Sequence, residues 1–204
     1  MKKLLLVLSF FVAVQGAVNA QGNELMFNWQ IGIPGPELNQ LIDKTSFQGW
    51  AFEYRYAFNN RFTVGGNFNW TIFHQEIDKS TWNFDNVDIT SRNWRYTHVV
   101  PLSVTFHFNP LSNHGAKTQL FMGGGLGGNY LNQEVWAGMY TFRHENWGFH
   151  AYPELGFRHV MSDQTAWFVS GQFMWLPGAS YTGEDLTYWS IRVGLSFGTH
   201  RWKE

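Results

Sequence analysis

The nine residues Trp50-Ala-Phe-Glu-Tyr-Arg-Tyr-Ala-Phe58 alternate strictly between two kinds of side chain. Every second position is aromatic, and the positions between hold Ala51, Glu53, Arg55 and Ala57. A period of two is the spacing of a β-strand, whose successive side chains point to opposite faces. The stretch therefore predicts a strand with one bulky aromatic face and one face that carries charge.

The same alternation recurs along the chain, and helical periodicity is hard to find. The eight alternating segments are residues 25–33, 50–58, 62–72, 96–108, 118–131, 147–159, 166–176 and 188–198. Long connections (34–46, 76–93, 132–146 and 178–187) alternate with shorter ones (59–61, 109–116 and 161–165). Transmembrane barrels combine an even strand number with this asymmetry. We therefore predict an all-β fold, an eight-stranded antiparallel up-and-down transmembrane β-barrel.

The charges decide which face of these strands points outward. The charges well inside strands all fall on the non-aromatic face: Glu53, Arg55, Glu154, Arg158 and Arg192. A lipid-facing Arg at the bilayer midplane costs about 2–4 kcal/mol, so this face is expected to point inward. We predict that these five side chains form a polar network in the barrel interior. Their expected neighbours are Asn67, Asn69, Thr105, His107, Tyr152 and Gln172, and eight strands leave room for side chains rather than a wide pore.

Aromatic residues are expected to form two girdles at the membrane interfaces, where amphipathic rings are enriched. The predicted outer girdle contains Trp50, Trp70, Trp94, Trp147, Trp175 and Trp189; the inner one contains Phe58, Phe62, Phe108, Phe157, Trp167 and Phe197. The alternative is a soluble barrel with the aromatic rings inside. So many bulky rings would overfill an eight-stranded interior.

The N-terminus has the features of a secretory signal peptide. Lys2 and Lys3 precede the apolar stretch 4–14, and Val18-Asn-Ala20 offers small residues at the −3 and −1 positions of a cleavage site. The alternative, a membrane-anchoring helix, needs about 20 apolar residues. We predict a signal peptide over residues 1–20, a barrel domain over 21–204, and export to the cell outer membrane.

Composition removes several classes of protein. The chain has no Cys, which excludes a disulfide framework and thiolate chemistry. Its formal net charge of −1 argues against a nucleic-acid partner. Aromatic residues make up 19% of the chain, whereas disordered chains are poor in them.

On these features the chain resembles the small outer-membrane β-barrel proteins of Gram-negative bacteria, in the OmpX/OmpW-like and porin-family group. The Gly-rich stretch Gly123-Gly-Gly-Leu-Gly-Gly128 fits a barrel strand, and Arg192-Val-Gly-Leu-Ser-Phe197 is similar to the C-terminal signal read by the barrel-assembly machinery. The chain departs from that signal because it continues to Trp202-Lys-Glu204. The resemblance implies three partners: outer-membrane lipids, lipopolysaccharide and, during insertion, the assembly machinery. The wealth of aromatic residues and Asn is similar to that of Bacteroidetes members.

Candidate chemistry is sparse. Lipid A deacylases of such barrels use His-x-Ser with a carboxylate, and His159-Val-Met-Ser162 with Glu154 differs by one residue in spacing. The eight His residues are scattered, and Asp85 with Asp88 is a weak calcium signal. We expect no enzyme activity, no catalytic residue, no cofactor and no metal site.

The expected function is structural or surface-binding, through extracellular loops above a polar-plugged barrel. These loops carry acidic and aromatic side chains that suit a protein or glycan ligand, among them Trp82, Phe84, Trp136, Tyr140 and Tyr181. Two alternatives stay open. One is a narrow channel for small or hydrophobic solutes, and the other is an accessory subunit of an outer-membrane secretion or assembly complex.

Overall fold

The computed structural model describes residues 22–59, 61–84, 87–110, 117–162, 164–180 and 183–198. Eight strands and one short helix follow each other as β1 (Asn23–Pro34), α1 (Pro36–Leu41), β2 (Ser46–Ala57), β3 (Phe62–Phe84), β4 (Val87–Phe108), β5 (Thr118–Ala137), β6 (Tyr140–Ser162), β7 (Thr165–Leu176) and β8 (Leu186–Gly198). Each strand pairs antiparallel with the next, and β8 pairs with β1. The predicted eight-stranded up-and-down barrel is confirmed.

The pairing register shows how the barrel closes. A circuit of paired residues that starts at Leu25 reaches Gly66 on β3 and Trp175 on β7. From Trp175 it continues to Thr187 on β8, whose carbonyl accepts a hydrogen bond from the N–H of Gly35. Gly35 lies ten residues after Leu25, where the circuit began. This displacement is the stagger that tilts the strands of a closed barrel against its axis.

The barrel is polar inside and apolar outside. Outward side chains such as Phe27, Leu102 and Val193 are exposed, whereas their strand neighbours Asn28, Ser103 and Arg192 are buried. A soluble barrel has the opposite distribution, because its outer surface meets water. The charged face therefore points inward, as predicted, and the fold is of the transmembrane type.

Four strands continue beyond the closed part of the barrel. The β2–β3 ladder ends at Gln48 opposite Ile72, and the β6–β7 ladder ends at Ala151 opposite Trp175. Past these points β3, β4, β5 and β6 still pair with one another, to Phe84 opposite Val87 and to Ala137 opposite Tyr140. We call residues 73–84, 87–99, 131–137 and 140–150 the projecting sheet.

The projecting sheet corrects two of the loop predictions. Residues 76–93 and 132–146 were expected to be loops, but they are mostly strand. Alternation is a weak signal here because polar side chains, such as the strand neighbours Asn132 and Gln133, stand on both faces of the projecting sheet. Gly138, with φ of +62°, makes the turn at one tip, and residue types other than Gly rarely adopt that conformation.

The predicted loop 34–46 contains α1. Pro36 stands at its first position, where the missing N–H costs no hydrogen bond. None of the helical residues in the described ranges forms a helix long and apolar enough to cross a membrane. The predicted signal peptide, residues 1–20, and the C-terminal Trp202-Lys-Glu204 lie outside the described residues.

Candidate functional site

Four charged side chains from three regions of the barrel wall meet in its interior. Arg192 Nη2 lies 2.7 Å from Glu53 Oε2, and Arg192 Nη1 lies 3.4 Å from Glu154 Oε1. Arg55 Nε lies 2.6 Å from Glu53 Oε1, and Arg55 Nη2 lies 3.7 Å from Glu154 Oε2. Each guanidinium thus faces both carboxylates, so the formal charges of this network cancel.

Other interior side chains hydrogen-bond to the two carboxylates. Asn67 Nδ2 donates to Glu53 Oε2 over 3.0 Å, and Thr105 Oγ1 donates to Glu53 Oε1 over 3.3 Å. Gln172 Nε2 and His107 Nε2 lie 3.3 and 3.0 Å from Glu154 Oε2. A buried carboxylate is tolerated when it is both charge-paired and hydrogen-bonded, and both conditions hold here.

An apolar layer lies against the two guanidinium groups. Phe121 and Phe168 are buried with Met26 in one cluster. The guanidinium carbon of Arg55 lies 4.8 Å from the Phe121 ring centroid, and that of Arg192 lies 5.8 Å from the Phe168 centroid. Arginine stacks favourably on aromatic faces, so this layer holds both side chains in place.

The fifth predicted charge, Arg158, has partners of its own. It donates to Glu24 Oε1 and, over 2.7 Å, to Gln119 Oε1. A cavity of about 40 Å³ lies beside this pair, at the end of the barrel where the short turns are. The prediction missed Glu24 because the first segment was started at residue 25. Glu24 is in phase with the inward Met26 and would have been found by extending the alternation by one residue.

The other end of the barrel is filled by apolar side chains. Leu38 of α1 and Ile42 are almost completely buried against residues that include Phe73, Met174 and Tyr188. We call this cluster the apolar lid. The interior is therefore filled by a lid, a charge network and an apolar layer, whereas the sequence indicated only a polar plug.

Hydrogen bonds fix α1 to the barrel rim on two sides. Thr187 Oγ1 donates to Glu37 Oε2 over 3.0 Å. On the opposite side Arg95 Nη1 donates to the Leu41 carbonyl over 2.8 Å, and the Asp43 N–H donates to Gln75 Oε1 over 3.0 Å. The projecting sheet and the lid thus support each other.

The outward face of the projecting sheet carries an ordered polar cluster around Glu134. Asn132 Nδ2 and Trp136 Nε1 donate to the Glu134 carboxylate over 2.9 and 3.0 Å. Arg143 Nη2 lies 2.8 Å from the same carboxylate. The hydrogen bond from Asn132, with those from Trp136 and Arg143, holds the pKa of Glu134 below its ordinary value although burial opposes this.

Another ordered carboxylate lies in the connection between β7 and β8. Asp185 accepts from Trp175 Nε1 over 2.8 Å and from the Gly178 N–H over 2.9 Å. These two hydrogen bonds, first the one from Trp175, lower the pKa of Asp185. Tyr181 of this connection lies outside the described residues, as do the side chains of Trp82 and Phe84.

Several solved structures resemble the barrel described above. The crystal structure of Ail, the attachment invasion locus protein of Yersinia pestis, matches with a TM-score of 0.55 at 11% identity, covering 88% of this chain and 99% of that chain. Neisserial surface protein A matches with 0.58 at 8% identity, covering 86% and 96%. The outer membrane protein OprG from Pseudomonas aeruginosa matches with 0.50 at 15% identity, covering 89% and 97%. The chain has the fold of the small eight-stranded outer-membrane β-barrels. No family model and no curated protein sequence matches it.

In this outer-membrane barrel fold, the six Trp residues of the predicted outer girdle lie on six different strands. Trp50 and Trp70 are paired neighbours with ring centroids 6.0 Å apart, and Trp147 lies 4.9 Å from Tyr130. Trp175 and Trp189 are exposed on the last two strands. Trp94 and Trp147 both belong to the projecting sheet, and Trp94 pairs there with Trp136.

The candidate catalytic and metal residues of the barrel are engaged elsewhere. His159 Nδ1 lies 2.8 Å from Thr118 Oγ1, whereas Glu154 contacts the interior charges. Across the described ranges, no three His, Asp or Glu side chains are grouped to hold a metal ion. The Asp85–Asp88 pair lies outside the side chains that the structure describes.

Proposed function

We propose that this protein is a non-catalytic outer-membrane barrel that presents a surface-binding platform to the cell exterior. The observation that carries this proposal is the projecting sheet, four strands that continue beyond the closed barrel. A barrel that only anchored itself in a membrane would need strands of about 9–11 residues, whereas β3 and β6 each have 23.

The filled interior supports binding rather than conduction. The apolar lid and the charge network occupy successive levels of the same lumen. Conducting barrels of the porin type have many more strands and an aqueous interior. The projecting sheet therefore supplies the surface at which we propose that the ligand binds.

The proposed location follows from the apolar exterior and from the predicted signal peptide. The same proposal includes export directed by the predicted signal peptide, residues 1–20. It also includes insertion by the barrel-assembly machinery and contact with outer-membrane lipids and lipopolysaccharide. The proposed ligand is a protein or glycan outside the cell. The Ail structure has also been obtained in complex with the heparin analogue sucrose octasulfate, which makes sulfated sugars a reasonable first class of probe.

Trimming the projecting sheet tests the proposal. Glu76 lies opposite Trp94 and Gln133 lies opposite His144, so joining each pair through an Asn-Gly turn shortens both hairpins. Wild-type and trimmed proteins would be compared by heat-modifiable gel migration and by binding to an array of sulfated and neutral glycans and immobilised extracellular proteins. We expect both to migrate as folded barrels and the trimmed protein to lose binding at least about tenfold.

Other outcomes would replace the proposal. Equal binding by the trimmed protein would remove the projecting sheet from the function. Steady single-channel steps of the wild type in planar bilayers would favour the narrow channel. A larger complex that co-purifies after mild detergent extraction would favour the accessory subunit.

A further inference from the structure

A large groove lies on the outside of the barrel wall, next to the point where the projecting sheet ends. Its volume is about 700 Å³, within the range of small-molecule sites. It runs across the outward faces of β4, β5, β6 and β7. Its lower end is at Val64, three residues into β3, and its upper end is at Trp175, one residue before β7 ends. The groove therefore spans most of the height of the apolar exterior.

The sequence creates the groove by placing small side chains between large ones. Gly124, Ala151 and Pro153 form its floor, since none of them projects far from the wall. Phe106 on one side and Trp175 on the other are exposed and form its edges. Strand β6 passes so close to Gly124 that a Cβ there would collide with the Tyr152 carbonyl oxygen. This position therefore suits a glycine.

The floor coincides with a gap in the strand pairing. The β6–β7 ladder has Ala151 opposite Trp175 and resumes, in the same register, at Glu154 opposite Gln172. Pro153 lies in this gap and has no N–H to donate to β7. Two residue pairs, Tyr152 with Met174 and Pro153 with Phe173, are therefore missing from the ladder at the floor of the groove.

The chemistry of the lining determines what fits the groove. Among the residues that line it, none is charged, and the hydroxyl of Thr105 is turned inward to Glu53. A polar ligand would lose its hydrogen bonds to water without gaining side-chain partners. A hydrocarbon chain loses nothing, and the surrounding apolar exterior is where such chains lie.

The upper end of the groove favours a chain that belongs to a lipid. There the indole N–H of Trp175 is bound to Asp185, so the apolar lining ends at a fixed polar boundary. A lipid with its headgroup at this boundary would direct its acyl chain down the groove. We propose that this groove is a binding site for one acyl chain of a membrane lipid. The inference needs the transmembrane fold but not the ligand-binding role of the projecting sheet.

Photocrosslinking tests the proposal on the full-length barrel. The protein would be placed in phosphatidylcholine nanodiscs that contain a phosphatidylcholine with a diazirine in one acyl chain, and adducts would be mapped by mass spectrometry. We expect adducts to concentrate on the peptides of Leu126 and Trp175. Filling the floor with Ala151→Phe is expected to reduce them about tenfold.

Two further variants separate loss of the site from loss of the fold. Gly171→Phe is the matched control, because Gly171 lies on the same apolar exterior outside the groove and a Cβ there meets nothing within 4 Å. It should leave the adducts unchanged. Phe106→Ala removes an edge formed by a ring that is 53% exposed, so it should reduce the adducts while preserving heat-modifiable migration.

Three results would overturn the proposal. Adducts spread around the barrel in proportion to exposure would show that no chain is held in place. Equal labelling by a free diazirine fatty acid would show that the lipid headgroup plays no part. Crosslinks between two barrels through Trp175 would assign the groove to a second copy of the chain.

Discussion

Arg192 Nη2 and Glu53 Oε2 lie 2.7 Å apart in the barrel interior, although 139 positions separate them in the sequence and both side chains have an exposed fraction of 0%. They are on β8 and β2, the two neighbours of β1, and Arg192 Nε also donates to Asn28 Oδ1 of β1 over 3.2 Å. The pair therefore links β8 to β2 across β1, at the place where the barrel closes.

Removing Arg192 should destabilise the barrel strongly. Arg192→Ala leaves Glu53 and Glu154 facing each other with one guanidinium fewer, and breaking a buried ion pair typically costs about 3–5 kcal/mol of unfolding free energy. Urea unfolding in liposomes measures this. The matched control is Arg92→Ala, which removes an exposed partner of Glu76 at 3.6 Å and should cost less than about 1 kcal/mol. Equal effects of the two variants would contradict a structural role for the interior network.

Truncating Leu38 should loosen the apolar lid. Leu38 is 1% exposed, so Leu38→Ala leaves a cavity and should cost about 2–5 kcal/mol, as buried Leu truncations do. The Ile42 N–H, which donates to the Leu38 carbonyl, should also exchange faster with solvent. Asn39→Ala, an exposed position of the same helix, is the control. Unchanged exchange at Ile42 in Leu38→Ala would show that α1 is held by its hydrogen bonds alone.

Acid should release the connection between β7 and β8. The pKa of Asp185 is lowered in the folded protein, so its stabilising effect is complete above the ordinary pKa of about 3.9. The effect is lost as the pH falls through the lowered pKa. Hydrogen exchange of the Gly178 N–H, measured as a protection factor at each pH, reports it. Asp185→Asn should lower protection at neutral pH and remove the dependence on acid; a persistent dependence would mean that another group titrates.

The pKa of Glu134 should depend on a neutral neighbour. The hydrogen bond from Asn132 is the first cause of its lowered pKa, so Asn132→Ala should raise that pKa toward its ordinary value. Because Asn132 is uncharged, the wild-type pKa should stay low at about 1 M salt, where charge effects are screened within about 3 Å. Carboxyl NMR titration measures both. Thr141→Ala, opposite Trp136, is the control. A wild-type pKa that returns to its ordinary value in salt would assign the effect to Arg143.

Two glycines of the barrel should respond differently to a side chain. A Cβ at Gly125 would lie 2.7 Å from the Tyr152 ring, which is buried in the apolar lid. Gly125→Ala should therefore destabilise the barrel by about 1–3 kcal/mol. At Gly66 the nearest atom would be 3.9 Å away, so Gly66→Ala should change the unfolding free energy by less than about 1 kcal/mol. Comparable losses would mean that Tyr152 moves aside freely.

The elements that the sequence predicted poorly share one physical property. The alternation of Trp50–Phe58 is strong because one face meets lipid and the other meets the interior. In residues 132–146 polar side chains such as Asn132 and Gln133 stand on both faces, so the alternation fades although the backbone pairs along most of the segment. Two Trp residues of the predicted girdle, Trp94 and Trp147, lie in this sheet.

The charge network of the interior could likewise be predicted only in part. Glu53, Arg55, Glu154 and Arg192 could be predicted because a charge in a lipid-facing strand must turn inward. Several of the neighbours expected for them, among them Asn67 and His107, do contact the two carboxylates. The pairing of Arg158 with Glu24 could not be predicted, since it depends on the stagger of the closed barrel. Because of that stagger, Arg192 of β8 reaches across β1 to Glu53 of β2, and Arg158 pairs with Glu24.

The sequence by itself therefore determined the strand number, the closed barrel and the face that points inward. These features follow from the two-residue alternation of side chains within each strand and from the free-energy cost of placing a charge in lipid. Each strand shows both signals by itself. Only the tertiary structure decided the projecting sheet, the apolar lid and the groove of Gly124, Ala151 and Pro153. These depend on strand lengths relative to neighbours, on a helix folding back into the barrel, and on residues that are distant in sequence, none of which has a local period.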